Sequence, residues 1–413
     1  MKAVSAVLPF RVNGYVIEDL IDWDAVPDDP IYRLVFPQPG MLRKEHLEEM
    51  RRVVARDAPE EEVVRRAREI QRSLNAYPAG QKKLNVPWFE GNRLEGIQHK
   101  YRETVLFFPA AGQTCHSHCT YCFRWAQFSS PDDFRFEGRE TRTLVRYLKN
   151  HPEVTNVLVT GGDPLVMSAS LLREYLEPLL DPSLEHVRSL RIGTKATTFW
   201  PYRFTTDPDT DELLRFFAEI VDSGKHLAIM AHYSHPRELE TPAAREAVRR
   251  IRDTGAVIRS QSPMVRGVND APEIWSRLWR TQVGLGVVPY YTFLARDTGA
   301  QHYFKIPLHR ALSIFNEAYR AVSGLGRTVR GPVMSATPGK VLVDGVTRVT
   351  GEQAFVLKFL QARDPSWVGR PFFARFDPDA AWLDDLEPAG AAREFFFQAR
   401  FRELMAGMNV AAS

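Results

Sequence analysis

Three cysteines are the residues of this chain best suited to metal chemistry. Cys115, Cys119 and Cys122 follow a C-x3-C-x2-C spacing and are the only cysteines among the 413 residues. Thiolates are soft ligands that suit iron–sulfur clusters, and a fully ligated [4Fe–4S] cluster takes four of them. Three cysteines would leave one iron open to bind a small molecule and pass it an electron. Zinc is the alternative, with His116 or His118 as a fourth ligand.

Two further features favour an iron–sulfur cluster over zinc. The aromatic residue Tyr121 directly precedes the third cysteine, and a glycine pair, Gly161 and Gly162, follows the next apolar run. Glycines at the end of a strand let a ligand approach the backbone closely. An ordinary strand-to-helix turn is the alternative interpretation of the glycine pair.

Charge and composition argue against several classes of function. The formal net charge is +3 and the sequence has no basic block, so we expect no nucleic-acid partner. The apolar run at the N-terminus is too short for a signal peptide, and no run approaches the length of a membrane span. Clustered cysteines cannot build a disulfide framework and indicate a reducing compartment. We therefore expect a cytoplasmic protein without a membrane partner.

Alternating strands and helices predict an α/β fold. Residues 1–100 form a helical N-terminal extension whose helices break near residues 57–59. The predicted strands are residues 104–108, 157–160, 187–192, 226–231, 256–260 and 286–290. The predicted helices are residues 141–149, 169–180, 211–222, 243–254, 273–283 and 308–323. Such alternation predicts a parallel sheet that is closed or partly closed into a barrel, and six units are two short of a full (β/α)8 barrel.

The strand ends of such a barrel are where chemistry is expected, because active sites lie at the C-terminal ends of barrel strands. The cysteine loop follows the first predicted strand and therefore falls on that face. We assign residues 101–325 to the barrel and residues 326–413 to a small C-terminal α+β segment that covers it or mediates oligomerisation. In that segment, residues 341–343 are a predicted strand that ends in a hairpin turn at Asp344 and Gly345.

The cysteine loop resembles the signature of the radical S-adenosylmethionine (SAM) enzymes. The string Cys-Thr-Tyr-Cys-Phe-Arg, from Cys119 to Arg124, is similar to that of the lysine 2,3-aminomutase family, which includes an enzyme that isomerises a lysine of elongation factor P. Several separated motifs follow in the family's order between about residues 102 and 344. The resemblance implies a partial barrel of the radical SAM type, a [4Fe–4S] cluster on the three cysteines, and bound SAM.

The resemblance also implies which residues contact the cofactors. A Gly-Gly-Asp motif matches the family segment that lines the site for the methionine end of SAM. An Arg-Ile-Gly-Thr-Lys segment and a Ser-Gln-Ser segment resemble two further family motifs. The candidate cofactor-binding residues are Tyr121, Gly161, Gly162, Asp163, Arg191, Lys195 and Gln261. His232 and His235 match another motif and either contact a ligand or cap the helix that follows.

A second cofactor is implied by Lys340. In the family, a lysine after the barrel forms a Schiff base with pyridoxal 5′-phosphate (PLP), a bond that requires an amine. Lys340 matches its position, although one glycine precedes it here and four do in the lysine enzymes. An ordinary turn lysine is the alternative. Arg124 matches the arginine that holds the substrate α-carboxylate with a two-pronged guanidinium. Trp125 stands where a second arginine is common.

The residues for the substrate side chain depart from the lysine enzymes. Without a gap, Arg296 and Ser335 align with the two aspartates that bind the lysine ammonium in the family. This exchange inverts the local charge and favours a substrate with an acidic or polar side chain, such as glutamate. A slip of one residue would instead place Asp297 at the site.

The resemblance implies an isomerase. The cluster and SAM generate a 5′-deoxyadenosyl radical that removes a β-hydrogen from a PLP-bound α-amino acid, and the amino group moves from C2 to C3. Arg124 and Lys340 are the candidate catalytic residues. The alternatives are a radical SAM enzyme without PLP, lysine 2,3-aminomutase proper, and a non-catalytic metal-binding module. We expect an amino acid substrate, an electron donor such as flavodoxin or ferredoxin, and a homo-oligomer.

Overall fold

The N-terminal extension is helical. The computed structural model describes residues 1–129, 137–138 and 141–410. The helices of this extension are α1 (Lys2–Ser5), α2 (Pro30–Val35), α3 (Lys44–Ala55) and α4 (Glu60–Arg72), followed by the short antiparallel strands β1 (Trp88–Phe89) and β2 (Asn92–Arg93). The predicted break lies between α3 and α4, where Asp57 adopts a positive φ of 49°. Three glutamates lie in the first turn of α4, where their negative charge interacts favourably with the positive end of the helix dipole.

One large sheet forms the rest of the framework. Its strands are β3 (Ile97–Tyr101), β4 (Thr104–Phe107), β5 (Asn156–Val159), β6 (Ser189–Thr194), β7 (His226–His232), β8 (Val257–Met264), β9 (Val288–Leu294), β10 (Arg330–Ser335), β11 (Gly339–Val349), β12 (Glu352–Ala362) and β13 (Pro371–Arg375). Each strand pairs with its neighbour in the chain, and the pairs from β4 to β10 are all parallel. All six predicted barrel strands are thus present, and β10 adds a seventh parallel strand.

Helices follow the parallel strands as predicted. They are α5 (Thr141–Lys149), α6 (Ala169–Leu176), α7 (Ala196–Phe199), α8 (Thr210–Asp222), α9 (Pro242–Asp253), α10 (Pro272–Gly284), α11 (Gln301–Phe304), α12 (Leu308–Arg320) and α13 (Gln398–Val410). The apolar faces of the longer helices and the strand residues form one continuous core. Among the described residues, no helix combines the length and the apolar character that crossing a membrane requires.

The sheet is rolled but its edges are not joined by a strand ladder. Strands β3 and β13 lie at the two ends of the strand order among the described residues. Nevertheless, Lys100 on β3 donates from Nζ to the backbone oxygen of Ala336, just after β10, at 2.5 Å. Arg363, which follows β12, likewise donates to Asn85 and to the Thr337 oxygen. Side chains therefore bridge the gap, which confirms the predicted partial barrel of the radical SAM type.

The predicted hairpin turn at Asp344 and Gly345 is wrong. Strand β11 continues through both residues to Val349, and the pairing with β12 only shifts register near them. The turn lies instead at Thr350 and Gly351, with φ of 50° and 90°. A two-residue hairpin turn of the favoured type needs positive φ at both central residues. An Asp-Gly pair can also accommodate an irregularity within a strand, and this one does.

Candidate active site

The C-terminal ends of the parallel strands surround one cavity of about 280 Å³. Because parallel strands end at the same edge, the segments after β4 to β10 meet there. The sequence-predicted residues that line the cavity are Cys115, Cys119, Cys122, Tyr121, Arg124, Gly161, Gly162, Asp163, Arg191, Lys195, Gln261, Arg296, Ser335 and Lys340. The cluster loop, the glycine motif and the lysine after the barrel are thus brought together by the fold.

The N-terminal extension holds the cysteine loop in place. The backbone nitrogens of His118 and Thr120 donate to the backbone oxygens of Arg11 and Leu34, both at 2.8 Å. The Arg11 guanidinium donates in addition to Thr114 Oγ1 and to the Cys115 oxygen. The cysteine loop therefore lies between the N-terminal extension and the barrel, and its conformation depends on contacts with both.

The three thiols line the cavity and are partly buried. Burial raises the pKa of Cys119 to about 12 and raises the pKa of Cys115 and Cys122 as well. Without a metal the thiols are neutral, whereas a bound cluster would hold them as thiolates. Among the described residues, no three His, Cys, Asp or Glu side chains are grouped to hold one metal ion. In a [4Fe–4S] cluster each thiolate binds a different iron, so the ligands need not meet at one point.

The glycine motif packs against the cluster loop. Gly162 donates to the Gly112 oxygen at 3.1 Å, and a Cβ at Gly162 would collide with the Thr114 backbone. Gly161 has a φ of 152°, a conformation that favours glycine, and a Cβ there would collide with Gln113. Both glycines are required by close packing of two backbones, in addition to any approach of a ligand.

Asp163 joins the ends of β5 and β6. Its carboxylate accepts hydrogen bonds from Thr194 Oγ1 at 2.7 and 2.8 Å, from the Lys195 backbone nitrogen at 2.8 Å and from the Leu165 nitrogen at 3.0 Å. Burial raises the pKa of Asp163, and these donors act against that rise. The motif's acidic residue thus has a structural role that the sequence did not reveal.

The two histidines of the third motif have different roles. His232 lines the cavity, where its Nε2 lies 3.2 Å from Gln261 Nε2, and burial lowers its pKa to about 3. His235 Nδ1 accepts from the Arg237 backbone nitrogen and caps the short helical turn that follows. One histidine is therefore placed to contact a ligand and the other is a cap.

Lys195 and Tyr121 each bond to a partner beside the cavity. Lys195 Nζ forms an ion pair of 2.6 Å with Glu238, whose side chain is completely buried. Glu238 also accepts from the backbone nitrogens of Ser234 and His235. Tyr121 bonds to Ser234 Oγ at 3.0 Å. These contacts fix the wall of the cavity next to the cysteines, where the resemblance implies SAM.

Arg124 carries a donor that remains open. Its residue is only 9% exposed, and Nη1 has no hydrogen-bond partner among the described residues. The guanidinium carbon lies 4.5 Å from the centre of the Phe108 ring and 4.8 Å from that of Phe123. Burial, followed by the charge of Arg296, lowers the pKa of Arg124 to about 9. A buried guanidinium without a partner is costly, so this site is suited to bind an anion.

Trp125 replaces the family's second arginine by packing into the protein. Its indole Nε1 donates to Thr298 Oγ1 at 2.7 Å, and its ring lies against Gly299. The side chain is part of the apolar cluster under the N-terminal extension. On the cavity side of the same region, the guanidinium carbon of Arg296 lies 4.3 Å from the centre of the Phe123 ring.

Arg296 and Ser335 face each other at the ends of β9 and β10. Arg296 Nη2 donates to Ser335 Oγ at 2.6 Å. Asp297 turns away, and its backbone oxygen and Oδ2 accept from Asn75 Nδ2 at 2.8 and 3.2 Å. The ungapped alignment therefore corresponds to the residues that meet in the cavity, while the slipped one would require Asp297 to leave Asn75.

Lys340 lies on a strand and not in a loop. It is directly opposite Ser335 on β10 and Gln361 on β12, so these three residues form one row across the sheet. Its Nζ donates to Gln361 Oε1 at 2.6 Å and lies 4.8 Å from the centre of the Tyr291 ring. Burial lowers the pKa of Lys340 to about 7, and Arg191 adds to this effect. An amine with this pKa is available as a nucleophile near neutral pH.

Sequence reasoning missed several cavity residues, among them three polar ones close to Lys340 or Arg296. Lys100 and Tyr101 line the cavity from β3, and Gln361 from β12. Neither strand is one of the six predicted barrel strands. Six lysines and arginines line the cavity, whereas Asp163 is the single carboxylate among its described lining residues. The cavity is therefore strongly cationic.

Comparison with known proteins identifies the family. The chain is 32% identical over 385 residues to an Aquifex aeolicus protein described as "Putative L-lysine 2,3-aminomutase", a match that covers 93% of this chain and 89% of that protein. A Treponema pallidum protein of the same description is 30% identical over 67% of this chain and 74% of its own. The L-lysine 2,3-aminomutase of Fusobacterium nucleatum is 27% identical, and the match covers 57% of this chain and 52% of that protein. The chain belongs to the lysine 2,3-aminomutase family of radical SAM enzymes, which are isomerases.

The similarity extends beyond residues 102–344, because the first match covers nearly the whole chain. No family model matches the sequence. Among solved structures, Streptococcus suis SuiB bound to S-adenosylmethionine has a TM-score of 0.37 at 12% identity and covers 66% of this chain and 56% of that one. A radical SAM methyltransferase from Sphaerobacter thermophilus has a TM-score of 0.37 at 14% identity. That match covers 68% of this chain and 92% of the methyltransferase.

Proposed function

We propose that this enzyme is a PLP-dependent amino acid 2,3-aminomutase that converts an α-amino acid with an acidic or polar side chain, such as glutamate, to a β-amino acid. The observation that carries the proposal is the placement of Lys340, as an amine of lowered pKa, in the same cavity as Cys115, Cys119 and Cys122. SAM and the cluster would supply a carbon radical, and PLP would supply an electron sink for the migrating amino group.

The residues around Lys340 fit PLP. The cofactor requires an amine and cations for its phosphate. Arg191 lines the cavity from β6 with its Nε bonded to Asn156, and Arg330 lies 4.2 Å from the centre of the Tyr291 ring, the ring that Lys340 also faces. Gln361 accepts a hydrogen bond from Lys340 without adding a negative charge. The amine is thus oriented without being held as an ammonium ion.

The fit extends to the cluster and to SAM. Three thiols on one loop suit a [4Fe–4S] cluster with an open iron, at which SAM would bind. The wall formed by Gly161, Gly162, His232 and Gln261 lies next to them. Residues of this chain would therefore exclude water from the radical by enclosing it between the cluster loop and the strand ends.

Arg124 would hold the α-carboxylate of the substrate. Nη1, which has no hydrogen-bond partner among the described residues, supports this role, because a carboxylate would supply the missing acceptor. A second contact by Arg296 with the side-chain group is supported by the shared ring of Phe123, against which both guanidinium groups lie. The substrate would then lie between the two arginines, with its amino group toward Lys340.

A second candidate is lysine 2,3-aminomutase proper, which the names of the relatives favour. It requires a carboxylate for the side-chain ammonium. Arg296 occupies the place of one such carboxylate and Ser335 that of the other, so the cavity disfavours lysine. We propose in addition that an acidic electron carrier such as flavodoxin or ferredoxin reduces the cluster, and that the enzyme forms a homo-oligomer.

The proposal is tested by anaerobic incubation with SAM, reductant, PLP and a panel of amino acids, followed by identification of β-amino acid products. Glutamate or another acidic or polar amino acid is expected to be converted, and lysine poorly. In parallel, borohydride treatment should fix PLP to Lys340, and Lys340→Ala should abolish this while keeping the iron. PLP fixed to another lysine, such as Lys195 or Lys305, would contradict the assignment. Efficient turnover of lysine would favour the second candidate.

A further inference from the structure

Lys100 lies beside Arg296 at the end of β10. Its Nζ donates to the backbone oxygen of Ala336 at 2.5 Å, and Arg296 donates to the side chain of the preceding residue, Ser335, at 2.6 Å. Both cations line the cavity. Two positively charged side chains are thus fixed next to each other by neighbouring residues of the same segment.

We propose that Lys100 and Arg296 together bind a carboxylate on the side chain of the substrate, so that the substrates of this enzyme are α-amino dicarboxylic acids. This inference rests on the proposed function and narrows its substrate class. Polar uncharged side chains would then be poor substrates.

Among the described residues, the charged groups that face Lys100 are cations and none of them is a carboxylate. Arg363, Arg296 and Lys340 face it, and its Nζ lies 5.3 Å from the centre of the Tyr101 ring. The acidic residue among the described cavity-lining residues is Asp163, whose oxygens are taken by the donors from β6 and Leu165. Burial lowers the pKa of Lys100 well below its ordinary value. A bound carboxylate would reverse this effect, because an opposite charge favours the ammonium form.

Cations other than Lys100 are available for the phosphate of PLP. Arg191 and Arg330 both approach Tyr290 and Tyr291 on β9, and both affect the pKa of Lys340 more strongly than Arg296 does. Lys100 is instead grouped with Arg296 at the site that faces the substrate side chain. The cavity thus offers one cation group for the phosphate, Arg124 for the α-carboxylate, and a third group for a further anion.

The test measures binding of glutarate, a five-carbon dicarboxylate without an amino group, to the cluster-loaded protein in the absence of PLP and SAM. Butyrate, which has one carboxylate, is the matched ligand. Isothermal titration should show Lys100→Met weakening glutarate binding about tenfold, the equivalent of about 1.4 kcal/mol, with butyrate unaffected. Lys100→Arg should retain most of the affinity, because it keeps the charge.

Lys225→Met is the matched control variant. Lys225 is also a buried lysine that donates to backbone oxygens, those of Leu184 and Val187, but it lies outside the cavity. The Lys225→Met variant should bind glutarate and butyrate with the affinities of the unmodified protein. Unchanged glutarate affinity in Lys100→Met would overturn the inference. So would a loss of PLP affinity in that variant with glutarate binding intact, since Lys100 would then serve the phosphate.

The glutarate measurement stays interpretable if the proposed function fails. If borohydride fixes no PLP to Lys340 but glutarate binding depends on Lys100, the two-cation site stands and the PLP assignment falls. If PLP is fixed to Lys340 and glutarate binding is independent of Lys100, the reverse holds. The two failures are therefore distinguished by separate readouts on the same preparation.

Discussion

The hydrogen bond between Lys340 and Gln361 predicts that Gln361→Glu removes the nucleophilic character of the lysine. The amide oxygen accepts from Lys340 Nζ at 2.6 Å. It is neutral, and the charged groups that face Lys340 are Arg191 on β6, Arg330 on β10, Arg296 after β9 and Lys100 on β3. Nothing among these groups stabilises an ammonium ion, and the pKa of Lys340 is accordingly lowered to about 7 by burial.

The magnitude follows from the charge that the substitution introduces. A carboxylate in hydrogen-bond contact would favour the ammonium form by about 4 kcal/mol at an effective dielectric constant of about 20. Since one pKa unit is about 1.36 kcal/mol, the pKa of Lys340 would rise by about three units, close to its ordinary value. At pH 7 the fraction of free amine would fall from about one half to about one in a thousand.

Competitive labelling with acetic anhydride across pH, followed by mass spectrometry, measures the pKa of Lys340 without PLP. The labelling midpoint should lie near pH 7 in the unmodified protein and about three units higher in Gln361→Glu. Reactivity is gained as pH rises through the pKa, so the variant should also capture PLP slowly at neutral pH and recover at alkaline pH. Gln361→Leu is the control, because it removes the acceptor without adding charge. A midpoint near 10 in the unmodified protein, or one insensitive to Gln361→Glu, would refute the reasoning.

Three further predictions concern the cluster and the substrate. Cys119→Ala should leave the fold intact and abolish SAM cleavage, because two thiolates would not retain the cluster; 5′-deoxyadenosine formed at the unmodified rate would contradict this. Arg124→Gln should weaken amino acid binding about thirtyfold or more by removing a charged hydrogen bond worth about 2 kcal/mol, with iron content unchanged; equal affinity would exclude Arg124 as the carboxylate partner. Arg296→Asp combined with Ser335→Asp should shift preference toward lysine, because two like charges about 4 Å apart cost about 4 kcal/mol, roughly a thousandfold in affinity; a preference that does not move would place the side chain elsewhere.

The barrel was predictable because its signals are local. Each parallel strand is an apolar run followed by a helix with one buried face, and the residues after the strands share one edge of the sheet by geometry alone. The positions of Gly161, Gln261 and Arg296 in the cavity follow from this rule. The prediction of a hairpin turn at Asp344 was wrong because its signal is not local: whether an Asp-Gly pair turns the chain depends on the partner strand.

Lys100 and Gln361 could not be predicted from the same signals. Lys100 reaches the Ala336 oxygen across the gap of the rolled sheet, a contact between residues 236 positions apart. Gln361 is placed opposite Lys340 by the pairing of β11 with β12, whose register shifts next to it. Both placements depend on antiparallel strands outside the barrel, and the periodicity of a single segment carries no information about which strand will lie beside it.

In the cavity, the residues proposed for the chemistry are separate from those proposed to contact the substrate side chain. This separation explains how such a site could change its substrate with few substitutions. The groups that would serve the chemistry, namely the cysteines and Lys340, are held by the N-terminal extension and by the row across β10, β11 and β12. The proposed contact with the substrate side chain, by contrast, would rest on Arg296 and Ser335, which lie at the ends of two strands and bond to each other. Residues at strand ends can be exchanged without altering the apolar core, because their side chains lie beyond it. We infer that charge at these two positions selects the substrate while the remainder of the site stays constant, which is why the double aspartate substitution is the sharpest test of specificity.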